Sequence, residues 1–176
     1  MNRSRAVTWC AVGFLASSLG WATGALVGSN MGRTVLAAAF TAIAFGLLSR
    51  RPRLALLAGL ATAAATTLAF LVGRQSVTPL IAWPVAGLAI GLCSWALLKR
   101  TRARVAAVLA APVLGSLGFV LGSVATVFAG MAANSARLFD QFLLFGAAGF
   151  GLLTLAAVRG LGGRLDRAPA STGGAA

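Results

Sequence analysis

The fold of this chain is decided by an uncharged stretch of 20 residues, Leu54–Gly73, which reads LALLAGLATAAATTLAFLVG. Arg53 precedes this stretch and Arg74 follows it, so a positive charge bounds each end. A helix rises about 1.5 Å per residue, and about 20 apolar residues cross the hydrocarbon core of a bilayer. The stretch therefore predicts a transmembrane helix.

Composition places the whole chain in the same class. Of its 176 residues 59% are hydrophobic and 10% are charged, whereas about a quarter of the residues of a soluble domain are charged. The sequence has no His, Glu or Tyr, and Asp140 and Asp166 are its only acids. Mechanisms that need an imidazole base, a His-ligated metal or a pair of carboxylates lack their residues. We therefore predict no enzymatic activity, no catalytic residue, no metal and no cofactor.

Five further stretches resemble the first in length and hydropathy. Together they predict an all-α, polytopic membrane protein of six transmembrane helices arranged as three helical hairpins. The fifth span is long, which predicts tilt or a bend near Pro112. Residues 1–159 form one domain on this interpretation, and residues 160–176 form a disordered cytoplasmic tail. The predicted spans are Ala6–Gly28, Thr34–Ser49, Leu54–Gly73, Val77–Leu98, Val105–Met131 and Phe139–Val158.

The positive charges alternate between the loops, as six spans require. Positive residues concentrate on the cytoplasmic side of a membrane protein. The outer loops hold Arg33, Arg74 and Arg137, one each, and the other 12 basic residues fall on the opposite side. We therefore predict that both termini are cytoplasmic, in the inner (plasma) membrane of a bacterium. Those 12 are Arg3, Arg5, Arg50, Arg51, Arg53, Lys99, Arg100, Arg102, Arg104, Arg159, Arg164 and Arg167.

The first span has an alternative interpretation, a cleaved signal peptide. A basic start at Arg3 and Arg5 and a small-residue segment at Ala22–Gly24 fit such a leader. The apolar run continues to Gly28, which favours a retained helix. The basic inner face itself is explained by topology, so we expect contact with anionic lipid there and no binding of nucleic acid.

Small residues recur at every fourth position in several spans. Residues four apart share one helix face, and a small-residue face lets a partner helix approach closely. The stripe of the first span could serve packing within the chain, or it could be a seam for a membrane-protein partner or a second copy. The longest stripes are Ala16, Gly20, Gly24, Gly28 and Gly32 in the first span, and Ala61, Ala65, Ala69 and Gly73 in the third.

A weak repeat links the hairpins. Gly28 and Gly46 are separated by 18 residues, and so are Gly73 and Gly91. In both cases the second glycine begins a Gly-Leu-x-Ser segment, and Gly151 begins the related Gly-Leu-Leu-Thr in the third hairpin. Triplication of a hairpin and coincidence in a chain rich in Gly, Ala and Leu both remain open.

Two groups of polar residues are candidate sites. The outer rim could form an anion-attracting mouth, because fixed positive charge at a low-dielectric opening attracts anions. Its arginines could equally be separate side chains snorkelling at helix ends. Three threonines of the third span could line a cavity, or bond back to their own helix. The rim residues are Asn30, Arg33, Arg74, Arg137, Asp140 and Gln141; the threonines are Thr62, Thr66 and Thr67.

The function predicted from these features is transport-related: a small-solute carrier, a channel or a membrane-embedded substrate-binding subunit. By topology alone, the six-helix plan resembles the substrate-capturing subunits of energy-coupling-factor importers. The resemblance implies a coupling protein docked on the first span and a vitamin-like solute under the outer rim. The alternative is a non-catalytic accessory or assembly subunit of a larger membrane complex. A carrier should have a hydrated polar cavity, and an accessory subunit should have a dry, close-packed interior.

Overall fold

The structure is a computed structural model that describes residues 3–73, 78–133 and 138–162. Within these ranges it is entirely helical and contains no strand, which confirms the predicted all-α class. Five helices are long and apolar enough to cross a membrane, and the fourth carries a shorter apolar segment, Ile81–Ser94. The helices are α1 (Arg3–Ala25), α2 (Asn30–Leu48), α3 (Pro52–Val72), α4 (Thr78–Ser94), α5 (Thr101–Ala133) and α6 (Leu138–Ala157), followed by a π-helical turn, Val158–Gly162.

The first helix lies three residues earlier in the chain than its predicted span, and both are 23 residues long. It ends at Ala25, and Gly28 follows in a turn with φ +72°, a left-handed conformation that glycine adopts at little cost. The side chain of Ser29 then accepts a hydrogen bond from the Gly32 N–H at 3.0 Å and so caps α2. The predicted span to Gly28 is therefore wrong by three residues at its end, because hydropathy does not register this turn.

The loop between α2 and α3 has a defined hydrogen-bonded geometry. The Arg50 N–H donates to the Leu47 carbonyl at 2.9 Å, and the Arg51 N–H donates to the Gly46 carbonyl at 3.1 Å. This pair of bonds is the Schellman pattern of a helix C-terminus. Arg50 occupies its left-handed position with φ 57°, and Pro52 begins α3 immediately afterwards. The two helices thus reverse direction within three residues, as a transmembrane hairpin requires.

The six helices close into a ring. Each helix packs against its neighbours in the chain, and α6 packs against α1 to complete the ring. The second helices of the three hairpins, α2, α4 and α6, also contact one another, so they approach the centre. Trp83 stacks there on Phe119 and contacts Phe150 at a tilted angle of 50°, with ring centroids 4.7 Å apart in both pairs. The tail predicted for residues 160–176 lies outside the described residues after Gly162.

Glycines bring neighbouring backbones into direct contact. A Cβ added to Gly118 of α5 would collide with the Gly149 carbonyl of α6, and a Cβ added to Gly149 would collide with the Gly118 carbonyl. Gly13 of α1 and Gly151 of α6 have the same reciprocal relation. Close backbone approach of this kind drives helix association in lipid.

The glycines of the weak repeat occupy related places in the ring. Gly46 of α2 abuts Ala55 of α3, and Gly91 of α4 abuts Val108 of α5, where an added Cβ would lie 2.9 Å from the Val108 Cα. Gly151 of α6 abuts α1, the next helix around the ring. Each of these glycines therefore packs against the first helix of the following hairpin, an arrangement that fits three related hairpins.

Candidate functional sites

The outer-rim prediction falls only partly on described residues. Arg33 of α2 is half-buried, and its guanidinium carbon lies 5.7 Å from the centre of the Trp21 ring of α1. This cation–π contact anchors the side chain against the neighbouring helix. Asn30 and Gln141 are exposed at the starts of α2 and α6, and the backbone of Asp140 also lies in the first turn of α6. Arg74 and Arg137 lie outside the described residues, so the mouth of three arginines stays a prediction.

The three threonines predicted to line a cavity do not share one environment. Thr62 and Thr66 are fully buried, whereas Thr67 is half-buried. The Thr66 hydroxyl donates to the Thr62 carbonyl one turn earlier, at 2.7 Å. The Thr62 hydroxyl is buried and has no hydrogen-bond partner. Among the described side chains, the Thr154 hydroxyl of α6 is the second that is buried without a hydrogen-bond partner.

Other buried hydroxyls are bound to backbone carbonyls. Thr41 donates to the Ala37 carbonyl at 2.8 Å, within its own helix. Ser17 of α1 donates to the Ala147 carbonyl of α6 at 2.6 Å, which links two helices. Such bonds satisfy polar groups internally, as an apolar environment requires. These hydroxyls already donate to backbone carbonyls, one within its helix and one between helices, so their protons are not directed at a solute.

The small-residue stripe of the first span packs against another helix of the same chain. Gly20 packs on the backbone of Leu36, and Gly24 packs on the backbone of Arg33, both in α2. Ala16 is half-buried on the same helix. Because α1 ends at Ala25, Gly28 lies in the following turn and Gly32 lies in α2. The stripe in α1 therefore comprises Ala16, Gly20 and Gly24, and its two glycines already have a partner helix.

The stripe of α3 is less fully covered. Ala61 is exposed, and Ala65 and Ala69 are half-buried. Ala65, Ala69 and Gly73 line a shallow apolar groove of about 380 Å³, bordered on the α4 side by Ile81 and Val85. Among the described residues, α3 and α4 share the least extensive contact of any two consecutive helices. We call this feature the α3–α4 groove.

A cavity at the opposite end from the outer rim was not predicted from the sequence. It has a volume of about 530 Å³ and a largely polar lining that brings together four segments far apart in the chain. The Arg159 guanidinium carbon lies 5.3 Å from the centre of the Trp9 ring, so the end of the chain's helical region meets the start of α1. We call it the basic cavity; it is lined by Trp9, Leu48, Ser49, Arg50, Arg51, Leu97 and Arg159.

The sequence contained only part of the signal for this cavity. The arginines are visible as the positive charge of the inner loops, and Trp9 is visible as an interfacial aromatic residue. Which of the 12 basic residues share a cavity depends on how the helix ends meet, and no local pattern encodes that. Among the described residues there is no group of three or more His, Cys, Asp or Glu side chains that could hold a metal ion.

No protein family model, curated protein or solved structure matches this chain. Its apolar helices indicate a membrane protein with several spans.

Proposed function

We propose that this chain is a non-catalytic, membrane-embedded subunit that packs against a partner membrane protein. The observation that carries the proposal is the filling of the bundle by direct backbone contacts, such as Gly118 against Gly149 and Gly13 against Gly151. The described buried hydroxyls add to it, because most of them bond to backbone carbonyls. A close-packed interior of this kind suits an accessory subunit better than a carrier.

The α3–α4 groove is the face proposed for the partner. Ala65 and Ala69 present small side chains at helical spacing, so a foreign helix could approach α3 closely. Two larger apolar side chains of its lining are well exposed, Leu68 at 60% and Val72 at 78%. The corresponding face of α1 is not available to a partner, because α2 covers Gly20 and Gly24.

Purification from native membranes in mild detergent tests this proposal. We expect a membrane protein to accompany the full-length chain in fixed stoichiometry. Ala65→Leu and Ala69→Leu fill the groove and should release that protein. Ala64→Leu is the matched control, since Ala64 is exposed on the same helix and does not line the groove.

Two results would contradict the proposal, the first for the groove as the docking face and the second for the accessory role. The first is release of the partner by Ala64→Leu as readily as by Ala65→Leu, which would point to loss of helix integrity in general. The second is a chain that purifies alone and moves a solute across reconstituted vesicles. That outcome would support the second candidate, a solute carrier, which is favoured by the buried and unpartnered hydroxyls of Thr62 and Thr154.

A further inference from the structure

The basic cavity concentrates positive charge at one end of the bundle. Arg50, Arg51 and Arg159 line it, together with the Ser49 side chain and the Trp9 ring. Among the residues that the structure describes, no acidic residue lines it. Of the two acids in the chain, Asp140 lies 19 residues before Arg159, or about 28 Å along the helix axis, and Asp166 lies outside the described residues. The lining therefore suits an anion.

The chemistry of the lining favours a phosphate group in particular. A guanidinium presents parallel N–H donors that match the oxygens of a phosphate, and this match is better than for a point charge. Arg50 holds its place at a left-handed backbone position where glycine is the favoured residue. A strained residue at such a position points to a need for its side chain.

A second groove adjoins the basic cavity and is apolar. Arg51 lines both, and the groove continues along the start of α3 past Pro52, Arg53, Leu54 and Leu57, with a volume of about 420 Å³. The Leu57 side chain is 65% exposed on the surface that faces lipid in our account. A cationic cavity that opens at one arginine into an apolar groove is complementary to a phospholipid. The cavity matches its anionic headgroup, and the groove matches an acyl chain.

We propose that the basic cavity binds the phosphate of an anionic phospholipid, with an acyl chain lying in the adjoining groove along Leu54 and Leu57. The site is specific: it uses the lining residues Arg50, Arg51 and Arg159 and does not use basic residues outside the lining, such as Arg102. Free phosphate shares the headgroup chemistry but gains nothing from the apolar groove.

The test titrates the delipidated full-length chain in detergent with dioleoyl phosphatidylglycerol, dioleoyl phosphatidylcholine and sodium phosphate. Native mass spectrometry counts bound lipid, and thermal unfolding reports the affinity. We expect one molecule of phosphatidylglycerol to bind in preference to phosphatidylcholine. Arg51→Gln and Arg159→Gln should each weaken its binding about tenfold, the effect of losing one charge-assisted hydrogen bond. Arg102→Gln removes the same charge from an exposed position at the same end and should change binding less than about twofold.

A second pair of variants tests the acyl groove without touching an arginine. Leu57→Gln should weaken binding of phosphatidylglycerol, and Leu56→Gln should not, although both leucines are 65% exposed. Two results would overturn the proposal. Equal losses in Arg51→Gln and Arg102→Gln would mean that only overall positive charge attracts lipid. Displacement of phosphatidylglycerol by millimolar sodium phosphate, with no effect of Leu57→Gln, would make the cavity a site for free phosphate.

Discussion

Single glycines determine how closely the helices of this protein approach one another. Gly118 and Gly149 bring the backbones of α5 and α6 into contact, and neither position has room for a methyl group. The atoms in the way belong to a carbonyl group of the facing helix, which cannot rotate aside as a side chain could. A change of one methyl group at such a position must move a whole helix.

Gly118→Ala tests this constraint at the smallest scale. We expect it to lower the free energy of unfolding by about 1–3 kcal/mol, the usual cost of overpacking. Thermal unfolding in detergent measures the effect. Gly160→Ala is the control, because an added Cβ there meets no atom within 4 Å, and it should change the stability by less than about 0.5 kcal/mol. An unchanged midpoint for Gly118→Ala would show that α5 and α6 are not held by this contact.

At the scale of the helix, α1 shows how a sequence pattern and a structure can differ. The small-residue stripe reads as continuous from Ala16 to Gly32 in the sequence, but the helix that carries it ends at Ala25. The turn at Gly28 divides the stripe between two helices that face each other. The part of the stripe that lies in α1 packs on the Arg33 and Leu36 backbones of α2.

Gly24→Leu tests whether this face holds the hairpin together. An added Cβ would collide with the Arg33 backbone, so we expect a loss of at least about 2 kcal/mol or failure to fold. Ala22→Leu, two residues earlier on the exposed side of α1, should melt like the wild type. If both variants were equally stable, α1 would not be packed through its glycine face. The measurement is thermal unfolding of the purified chain, with size-exclusion chromatography as a check on aggregation.

Much of the fold could be predicted from the sequence, because long apolar runs in lipid leave few alternatives to helices. The number and order of the helices follow from hydropathy, and every described helix lies within a few residues of its predicted span. The helix ends could not be predicted as well, since they depend on caps and turns such as those at Ser29 and Gly28.

The candidate sites were predicted less well than the helices. Thr62 and Thr66 are buried as a cavity lining would be, but the Thr66 hydroxyl is already bonded within its helix. The basic cavity was missed altogether, because Trp9, Arg51 and Arg159 become neighbours only when the ring of helices closes. Long-range assembly of this kind leaves no local trace in the sequence.

For the whole molecule, the orientation in the membrane is a prediction that labelling can check. In a background with Cys10→Ala and Cys93→Ala, Leu26→Cys and Ala96→Cys place one thiol each in exposed turns, the first between α1 and α2 and the second between α4 and α5. A membrane-impermeant maleimide should label Leu26→Cys in intact cells, and it should label Ala96→Cys only after permeabilisation. The reverse pattern would contradict cytoplasmic termini.

We infer that the interior of the bundle is dry and close-packed, and thiol accessibility reports directly on whether water enters it. In the same background, Thr62→Cys, Thr66→Cys and Thr154→Cys each place one thiol at a fully buried position. We predict that none of them reacts with a small water-soluble methanethiosulfonate reagent in folded, membrane-embedded protein, and that all react after denaturation. Reaction at rates close to that of Leu26→Cys would reveal a water-filled cavity and would contradict the proposed role as a close-packed accessory subunit.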